Sequence, residues 1–476
     1  DTVMNQNKSV RPFGLRDKLG YLFGDFGNDF TFILSTMILM KFYTDVMGVN
    51  AAVVGTVMMV ARFVDAVTDV TMGRICDRSK GTAAGKFKPW LLRMCGPVSV
   101  ASFLIYQSAL ADMSMTFKIV YLFITYILWG SVFYTSINIP YGSMASAISA
   151  EPSDRQSLST FRTMGGTLAG MVIGVGLPLF AYQEEGGKEV LVGSRVTVLA
   201  AAFSVLAIVC YLLCYFLCTE RVRPKVEEDV FANNSVGKML ANALKNRALI
   251  SIIVASVLML LAQLTMQSMA NYIYPDFYNS KEAQSASTLM MMVGMLVAAA
   301  LAKPLAKKFG KAELSVVSNL FAGVVCLVLF FLRPENVWVY VLFQFLCWLG
   351  LGFFSMVVWS LITDVIDYSE LKNGIREDGS VYALYSFARK LGQAAAAGIS
   401  GGLLTVIGYS EKAATQGLAQ STEVLNGIFN ISTLVPGVGF LLLAVVLWFW
   451  YPLHKKQVEA NVQTLKEKHG DLTADS

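Results

Sequence analysis

Histidine is almost absent from this chain of 476 residues. There are two, His454 and His469, and both follow the last long apolar run. A proton relay or a zinc site built on histidine therefore cannot lie within the apolar part of the sequence. Charged residues are also few, at 15%, whereas hydrophobic residues make up 55% of the chain. This balance excludes an ordinary soluble protein of the same size and is typical of a membrane protein.

The seven cysteines lack the paired arrangement of a disulfide-bonded secreted protein. They lie within or at the ends of apolar runs. We interpret them as reduced residues that take part in packing. Three of them, Cys210, Cys214 and Cys218, share one helical face, which could suggest a soft metal ion. No charged residue or histidine lies near them in the sequence, so packing is the favoured interpretation.

Apolar runs of about 18 or more residues recur from end to end, which is the length needed to cross a bilayer as a helix. They predict an all-α membrane protein with twelve transmembrane helices in two six-helix bundles. The predicted helices span residues 17–45, 50–75, 89–111, 117–148, 157–182, 195–218, 248–275, 284–308, 313–332, 337–366, 380–408 and 425–450.

The longest polar interruption separates the sixth predicted helix from the seventh. Transporters built from two such halves bind their substrate near the midplane of the membrane. The predicted organisation is an N-terminal six-helix bundle over 1–218, a cytoplasmic middle loop over 219–247, a C-terminal six-helix bundle over 248–451 and a cytoplasmic tail over 452–476.

Loops that are rich in lysine and arginine alternate along the chain with loops that are poor in them. The rich loops cover 74–88, 221–247 and 307–311. The positive-inside rule then predicts a multi-pass protein of the cell (inner or plasma) membrane with both termini in the cytoplasm. The net charge of +5 is spread over short loops, so it does not indicate a nucleic-acid partner. We expect the lipid bilayer as its surroundings and a monomer as the functional unit.

Two aspartates, Asp65 and Asp69, lie one turn apart in the apolar second predicted helix. A charge at bilayer depth costs at least about 2.5 to 3.5 kcal/mol, so these side chains should face a polar cavity. Their spacing places both on one helix face, with Thr68 beside them and Arg62 one turn earlier. The favoured interpretation is a cation site. The alternative is an internal ion pair of Arg62 with one aspartate that serves packing alone.

Several motifs resemble one transporter family. The loop at 73–90, with its Gly, Asp-Arg and Gly-Lys spacing, resembles the loop signature of the major facilitator superfamily. Three further stretches, at 42–45, 138–142 and 364–370, make the resemblance narrower. Together the motifs resemble the glycoside-pentoside-hexuronide:cation symporters, and the match covers about residue 15 to about residue 451.

This resemblance implies a cation site in the second helix. It would consist of Asp65, Thr68 and Asp69, with Thr135 of the fourth helix as the hydroxyl partner. Two carboxylates and two hydroxyls supply hard oxygen ligands that suit Na⁺ or Li⁺, with Asp65 and Asp69 as the metal ligands. A proton could replace the metal ion. Melibiose permease has Asn in place of Thr68, and this difference leaves the choice between Na⁺ and H⁺ open.

The resemblance also implies a sugar site. Asp29, Arg162 and Lys390 match sugar-binding positions of the family, and a carboxylate can accept hydrogen bonds from two adjacent sugar hydroxyls. The remaining candidates are Tyr134 and Asn138, on the same helix face as Thr135, and the aromatic Trp359. Melibiose permease has an aspartate in place of Asn138. Because this chain lacks that carboxylate, its candidate sugar residues carry surplus positive charge. The substrate is therefore expected to be an anionic sugar such as a glucuronide or a sulfonated sugar, or else a xyloside.

The third implied site is a cytoplasmic gate. It would use charged residues of the loop after the second helix and of the end of the tenth helix: Asp77, Arg78, Asp364, Asp367 and Arg376. Salt bridges of this kind could open and close in each transport cycle. The alternative is a solvated helix end without a gating role.

The sequence therefore predicts a secondary active transporter and not an enzyme. It would couple uptake of a glycoside to a monovalent cation, Na⁺, Li⁺ or H⁺, and would need no other cofactor. An ion channel would require a repeated filter, and an enzyme would require a nucleophile with a base. The alternative on the same fold is a cation-coupled transporter of lysolipids or other amphiphiles, whose cavity would be apolar.

Overall fold

The computed structural model describes residues 10–222, 245–373 and 378–469. Within those ranges the regular secondary structure is helical apart from one hairpin and one isolated β-bridge, between Thr82 and Gly85. Fourteen helices are numbered in chain order: α1 Leu15–Asp45, α2 Ala51–Arg78, α3 Lys88–Ile105, α4 Met115–Ile148, α5 Pro152–Ala181, α6 Gly193–Leu217, α7 Arg247–Phe277, α8 Lys281–Phe309, α9 Lys311–Leu332, α10 Val337–Asn373, α11 Asp378–Val406, α12 Glu411–Thr415, α13 Thr422–Trp450 and α14 Lys455–His469.

The twelve long helices, α1 to α11 and α13, correspond one to one with the predicted helices. Over the described ranges, nine helices are long and apolar enough to cross a membrane. The largest errors concern α10, which continues to Asn373 although the sequence predicts its end at residue 366, and α3, which ends at Ile105 although the sequence predicts that it reaches residue 111. A 3₁₀ turn, Ser108–Leu110, follows it. Most of the predicted middle loop, residues 223–244, lies outside the described residues.

Local sequence signals account for where several helices begin. Asn50 and Ser114 accept hydrogen bonds from backbone amides in the first turns of α2 and α4. Ser421 does the same for α13. Such side chains satisfy amides that have no partner within the helix. Between α8 and α9 the chain turns at Gly310, whose φ of 98° lies in a region that glycine adopts readily.

A short hairpin follows α5 and was not predicted. Its strands, β1 Tyr182–Glu185 and β2 Lys188–Leu191, are antiparallel. The turn between them is Gly186-Gly187, with φ of 60° and 81°. Two residues with positive φ form the tight turn that best fits the twist of a hairpin, so this pair was the available sequence signal.

Helix α4 is not a uniform α-helix. A π-helical segment, Leu128–Tyr134, interrupts it between α-helical parts that end at Ile127 and begin at Thr135. A π segment accommodates an additional residue and changes which side chains of the helix face a neighbour. The candidate residues Tyr134 and Thr135 therefore lie at the point where the helix returns to α geometry.

The chain forms two compact units. Unit 1 comprises Asp1–Glu228 together with Leu404–Gln420, and unit 2 comprises Asp229–Leu403 together with Ser421–Ser476. In unit 1, α1 packs along α5 and α6, and α3 packs against α6 and α4. The close approach of α1 and α5 depends on Gly165, because a Cβ atom there would lie 2.3 Å from the Leu22 carbonyl oxygen.

Two polar clusters stabilise unit 1. In the first, the fully buried Asp17 of α1 forms salt bridges with Arg221 at 2.8 Å and Arg11 at 3.1 Å, and it accepts a hydrogen bond from the Thr219 amide at 3.1 Å. In the second, the buried Lys41 pairs with Asp45 at 2.7 Å. The first cluster connects the start of α1 to the chain that leaves α6.

The stretch Leu404–Gln420 covers the same end of unit 1 as the Lys41 pair. The Glu411 carboxylate accepts a hydrogen bond from the Ala51 amide at 2.9 Å. The Thr405 hydroxyl accepts one from the Ala52 amide at 3.0 Å. Both amides belong to the first turn of α2, where a carboxylate is favourable. The Tyr409 hydroxyl donates to Asp45.

Unit 2 is built around α9, which packs on α13 and α10, while α7 packs on α13 and α8 on α10. Its apolar core includes the buried Cys326 and Cys347, whose sulfur atoms lie 2.9 Å apart. All seven cysteines of the chain are free and buried, which confirms their interpretation as packing residues. The polar tail forms α14, which starts where the Lys455 amide donates to Glu313 of α9 at 2.8 Å.

Candidate functional site

The acid pair of α2 faces α4. Asp65 is buried, and its Oδ1 atom accepts a hydrogen bond from the Ser131 hydroxyl at 2.5 Å. Asp69 Oδ1 accepts one from the Thr135 hydroxyl at 2.9 Å. The acids are four residues apart on α2, and the hydroxyls are four residues apart on α4. The two helices are therefore joined by two successive carboxylate–hydroxyl contacts, which we call the acid–hydroxyl ladder.

The π segment of α4 contributes to the ladder. Ser131 lies inside it, and Thr135 is the first residue after it. The Thr135 hydroxyl also lies 3.2 Å from the carbonyl oxygen of Gly130. Carboxylate, hydroxyl and carbonyl oxygens are the ligands that Na⁺ and Li⁺ accept. The ladder is therefore chemically able to hold a small monovalent cation.

Thr68 lies beside the acids, as predicted from its position in the helix. Its hydroxyl donates to the backbone carbonyl of Asp65 at 3.2 Å. This hydrogen bond uses the hydroxyl hydrogen within α2 and leaves the oxygen as an acceptor. Thr68 can therefore offer an oxygen to a cation without any change in its own bond.

Arg62 pairs with one of the two acids. Its Nη1 atom lies 2.8 Å from Asp65 Oδ2, and its Nη2 atom donates to the Tyr126 hydroxyl. The guanidinium carbon also lies 5.4 Å from the centre of the Tyr126 ring and 5.8 Å from that of Phe32. The ion pair that the sequence left as an alternative is thus present for Asp65. Asp69 contributes a second carboxylate, four residues further along the same helix.

Three helices of unit 1 bring together the candidate sugar residues of that unit. Asp29 and Asp25 lie one turn apart on α1. Both point at Gly166 of α5, where a Cβ atom would lie 2.7 Å from an oxygen of each. Arg162, one turn before Gly166, places Nε 3.6 Å from Asp25 Oδ1. Gly166 therefore makes room for two carboxyl groups beside one guanidinium.

Asn138 takes part in a chain of polar contacts between helices. Its Oδ1 atom accepts a hydrogen bond from Asn28 Nδ2 of α1 at 3.2 Å, and the Tyr211 hydroxyl of α6 donates to Asn28 Oδ1 at 2.5 Å. Tyr134 stacks on Phe32 of α1, with ring centres 5.4 Å apart. These contacts hold α1, α4 and α6 together around the candidate sugar residues.

The remaining candidate sugar residues belong to unit 2. Lys390 of α11 is half-buried. Its neighbour Arg389 donates to the Tyr385 hydroxyl at 3.4 Å, and that hydroxyl lies 2.7 Å from Ser256 Oγ of α7. Arg389 is thus engaged within unit 2, and Lys390 follows it directly in the sequence. The Trp359 side chain, on α10, lies outside the described part of the structure.

The candidate gate residues at the end of α10 are partly paired within unit 2. The buried Asp364 forms a salt bridge with Lys311 of α9 at 2.7 Å, and the same ammonium donates to Ser360 Oγ at 2.7 Å. Asp367, one turn later, is half-buried, and Arg78 is exposed at the end of α2. Arg376 and the Asp77 side chain lie outside the described residues.

Glu220 occupies the loop between α2 and α3, although it follows α6 in the sequence. Its Oε1 atom accepts a hydrogen bond from the Phe87 amide at 3.0 Å, at the start of α3. A Cβ atom at Gly85 would overlap this carboxyl group. Burial raises the pKa of the Glu220 carboxyl, and the backbone amides of this loop lower it by a smaller amount.

Comparison with known proteins gives the family. The sequence model of the family described as MFS/sugar transport protein matches residues 20–455. The chain is a member of this family. The resemblance to the glycoside-pentoside-hexuronide:cation symporters is thereby confirmed.

The relatives of this MFS sugar transporter align over nearly its full length. The isoprimeverose transporter of Lactiplantibacillus pentosus is 31% identical over 473 residues, which cover 98% of this chain and 94% of that protein. The glucuronide carrier protein homolog of Escherichia coli (strain K12) is 30% identical over 477 residues, 99% of each chain. The inner membrane symporter YicJ of the same strain is 29% identical over 455 residues, 95% of each.

Solved structures confirm the fold. The xylose transporter XylE from E. coli superposes with a TM-score of 0.59 at 12% identity, covering 95% of this chain and 98% of that one. A bacterial homolog of the human lysosomal transporter Spinster gives a TM-score of 0.63 at 10% identity, covering 96% and 99%. The protein is therefore an all-helical, multi-pass membrane protein of the major facilitator fold. It is a cation/glycoside symporter and not an enzyme.

Sequence reasoning about this MFS sugar transporter missed three residues near the candidate sites. Ser131 is one, and its spacing of four from Thr135, equal to that of the two acids, was the available signal. Tyr126, which contacts Arg62, is one turn earlier still. Glu220 gave no signal, because its partner loop lies more than a hundred residues away in the sequence.

Proposed function

We propose that this symporter carries Na⁺, Li⁺ or H⁺ at the acid–hydroxyl ladder and a sugar beside Asp29 and Arg162. The observation that carries the proposal is the ladder itself, in which Asp65 and Asp69 each meet a hydroxyl of α4. A structural ion pair would need one carboxylate for Arg62. The ladder goes beyond such a pair, because it brings two carboxylates and two hydroxyls together as hard oxygen ligands of the kind that a cation site uses.

Two kinds of coupling ion fit the ladder. A metal ion would bind the carboxylates Asp65 and Asp69 and the hydroxyl oxygens of Thr68 and Thr135. A proton would instead bind to one carboxylate, since two acids held close favour uptake of one proton. Thr68 provides a hydroxyl oxygen for either ion.

The proposed substrate site uses Asp29, Tyr134, Asn138 and Arg162 of unit 1, with Lys390 and Trp359 of unit 2. Carboxylates accept hydrogen bonds from sugar hydroxyls, and a guanidinium donates to sugar oxygens. Candidate substrates are a glucuronide, a sulfonated sugar or a xyloside, and two relatives are named for a glucuronide and for isoprimeverose. A lysolipid or another amphiphile is the second candidate class. The charged groups on α1 and α5 favour a sugar over it.

The proposed working arrangement follows the prediction from the sequence. It has two six-helix halves joined by a middle loop, both termini in the cytoplasm of the cell (inner or plasma) membrane, and a monomer as the functional unit. A cytoplasmic gate would use Asp364 and Asp367 with Arg376, and Asp77 with Arg78. Within unit 2, Asp364 forms a salt bridge with Lys311 at the start of α9.

Binding of the two ligands should be reciprocal. If the cation raises the affinity for the sugar, the sugar raises the affinity for the cation by the same factor. The test is a thermal-shift screen of the purified protein with neutral, uronic and sulfonated glycosides, each with Na⁺, with Li⁺ or with neither, at several pH values. A glycoside should stabilise the protein more when its cation is present. Sugar binding that is unchanged by Na⁺, Li⁺ and pH would contradict the proposal.

Two substitutions separate the sites. Asp65→Asn should remove the dependence of sugar binding on the cation, and Asp29→Asn should remove sugar binding itself. Asp112→Asn is the matched control, because Asp112 is an exposed aspartate of unit 1 outside both sites. It should leave both properties unchanged.

A further inference from the structure

We propose that Asp25 is a specificity-determining residue of the sugar site. Because Asp25 already pairs with Arg162, the site favours neutral glycosides over sugar acids. This inference rests on the proposed function and narrows the class of substrate. It starts from the fact that Arg162 already has a carboxylate partner. Arg162 Nε lies 3.6 Å from Asp25 Oδ1, and 39% of the Arg162 side chain is exposed against 14% for Asp25.

The packing of α1 on α5 fixes this arrangement. Gly166 leaves a recess beside Arg162, and an oxygen of Asp25 and one of Asp29 lie 2.7 Å from the point that a Cβ atom would occupy. The Arg162 guanidinium lies 5.1 Å from the centre of the Tyr141 ring, which supports it on another side. Arg162 is thus held beside two acidic side chains and one aromatic face.

A sugar acid would meet two obstacles in this recess. Its carboxylate would need Arg162 as a partner and would have to displace Asp25 from it. The displaced Asp25 would then lie near Asp29 and near the incoming anion. Like charges brought together in this way oppose binding and so discriminate against the wrong substrate.

A neutral sugar meets neither obstacle. Its hydroxyls can donate to Asp29 and Asp25 while Arg162 keeps its partner, because an ionised carboxylate accepts several hydrogen bonds. Each such bond has a charged acceptor and is correspondingly strong. The two acids therefore favour a ligand that is rich in hydroxyl donors and carries no charge of its own.

The charge count supports the same conclusion. The sequence argument for an anionic sugar rests on Arg162 and Lys390 facing fewer acids, because Asn138 replaces an aspartate. Within unit 1, however, the two acids Asp25 and Asp29 lie beside the one guanidinium of Arg162. These three side chains carry no positive surplus.

The test uses pairs of sugars that differ only at carbon six. Methyl β-D-glucoside and methyl β-D-glucuronide are compared by isothermal titration with the full-length protein in detergent, in the presence of Na⁺, and the 4-nitrophenyl pair is compared in the same way. The wild type should bind the glucoside at least about tenfold more tightly than the glucuronide. Asp25→Asn keeps the size of the side chain and removes its charge. It should shift the ratio of the two affinities toward the glucuronide by at least about tenfold.

Two further variants make the result specific. Asp25→Glu keeps the charge and should keep the preference of the wild type. Asp112→Asn removes an exposed charge far from the recess in the sequence and should leave the ratio unchanged. A general loss of structure would weaken both sugars together, whereas the proposal requires a change in their ratio.

A wild type that prefers the glucuronide overturns the proposal, even if Asp25→Asn fails to fold. So does an Asp25→Asn variant that folds and leaves the ratio unchanged. These results differ from a failure of the proposed function. If neither pair of sugars binds, or if Na⁺, Li⁺ and pH have no effect on binding, the cation-coupled sugar site is itself contradicted.

Discussion

The Ser131 hydroxyl of α4 donates a hydrogen bond to the Asp65 carboxylate of α2 at 2.5 Å. It forms one contact of the acid–hydroxyl ladder, and Thr135 with Asp69 forms the other. Asp65 is also the acid that pairs with Arg62. Ser131 therefore determines how the second oxygen of an already paired carboxylate is directed, which makes it a positioning residue for the proposed cation site.

Ser131→Ala should weaken cation binding without abolishing it. One hydrogen bond contributes about 1 kcal/mol net, so the Na⁺ concentration that gives half-maximal stimulation of sugar binding should rise about three- to tenfold. The measurement is a titration of sugar affinity with Na⁺. Ser136→Ala is the control, since the Ser136 hydroxyl donates to the Val132 carbonyl of its own helix. Equal effects of the two variants would contradict the positioning role.

Arg62→Gln should destabilise the protein, because it leaves the Asp65 carboxylate buried without its cationic partner. The expected loss is about 3 to 5 kcal/mol, measured as a lower midpoint of thermal unfolding. The double variant Arg62→Gln, Asp65→Asn removes the unpaired charge and should recover more than half of that loss. A double variant as unstable as the single one would contradict a charge effect and would point to lost packing on Tyr126 and Phe32.

Gly166→Ala should weaken sugar binding and spare the cation site. The added methyl group would lie 2.7 Å from oxygens of Asp25 and Asp29, so one of these carboxyls must move. We expect the dissociation constant for the sugar to rise at least about tenfold, as a carboxylate hydrogen bond is lost. Gly176→Ala on the same helix is the control, because a Cβ atom there meets nothing within 4 Å. Similar affinities of the two variants would contradict the recess.

Asp17→Ala should be among the most destabilising single changes in unit 1. It would leave Arg221 and Arg11 without the carboxylate that joins them, and the Thr219 amide without its acceptor. Removal of one partner of a buried charge cluster costs about 3 kcal/mol or more. The thermal midpoint should fall accordingly, whereas Asp112→Ala should leave it within the error of measurement. A midpoint for Asp17→Ala close to that of the wild type would show that water replaces the carboxylate.

Glu220→Gln should change how stability depends on pH. Burial raises the pKa of the Glu220 carboxyl above its unfolded value, so the folded state holds the proton more tightly and gains stability as the pH falls through that raised pKa. The glutamine keeps an acceptor for the Phe87 amide but cannot ionise. The stability of the variant relative to the wild type should therefore be greater at about pH 8 than at about pH 5. A difference that is constant with pH would contradict the raised pKa.

The sequence predicted the helices well because the bilayer imposes a length on every apolar run. That argument could not predict hairpin β1–β2 or helix α14, since their mostly polar residues form no long apolar run. The acids Asp65 and Asp69 were predictable because charge is expensive among apolar residues. Ser131 was not, because a serine carries no such cost and its direction depends on the π segment.

Pairing between helices was the least predictable property of the candidate site. The sequence placed Arg62 near both acids but could not choose the one it joins, which is Asp65. Asp25 lies one turn from Asp29, but the sequence could not show that α5 brings Arg162 to Asp25. Both choices depend on which faces of α1, α2, α4 and α5 meet, and that is a property of packing rather than of spacing.

The stretch Leu404–Gln420 has a consequence for dividing the chain into fragments. A first fragment cut within the middle loop would lack Glu411, which caps the start of α2 at Ala51, and Tyr409, which donates to Asp45 beside the buried Lys41. The amino-terminal half is therefore completed only by residues synthesised near the end of the chain. Until those residues are synthesised, the start of α2 lacks its cap, and the pair of Lys41 with Asp45 lacks the hydrogen bond from Tyr409.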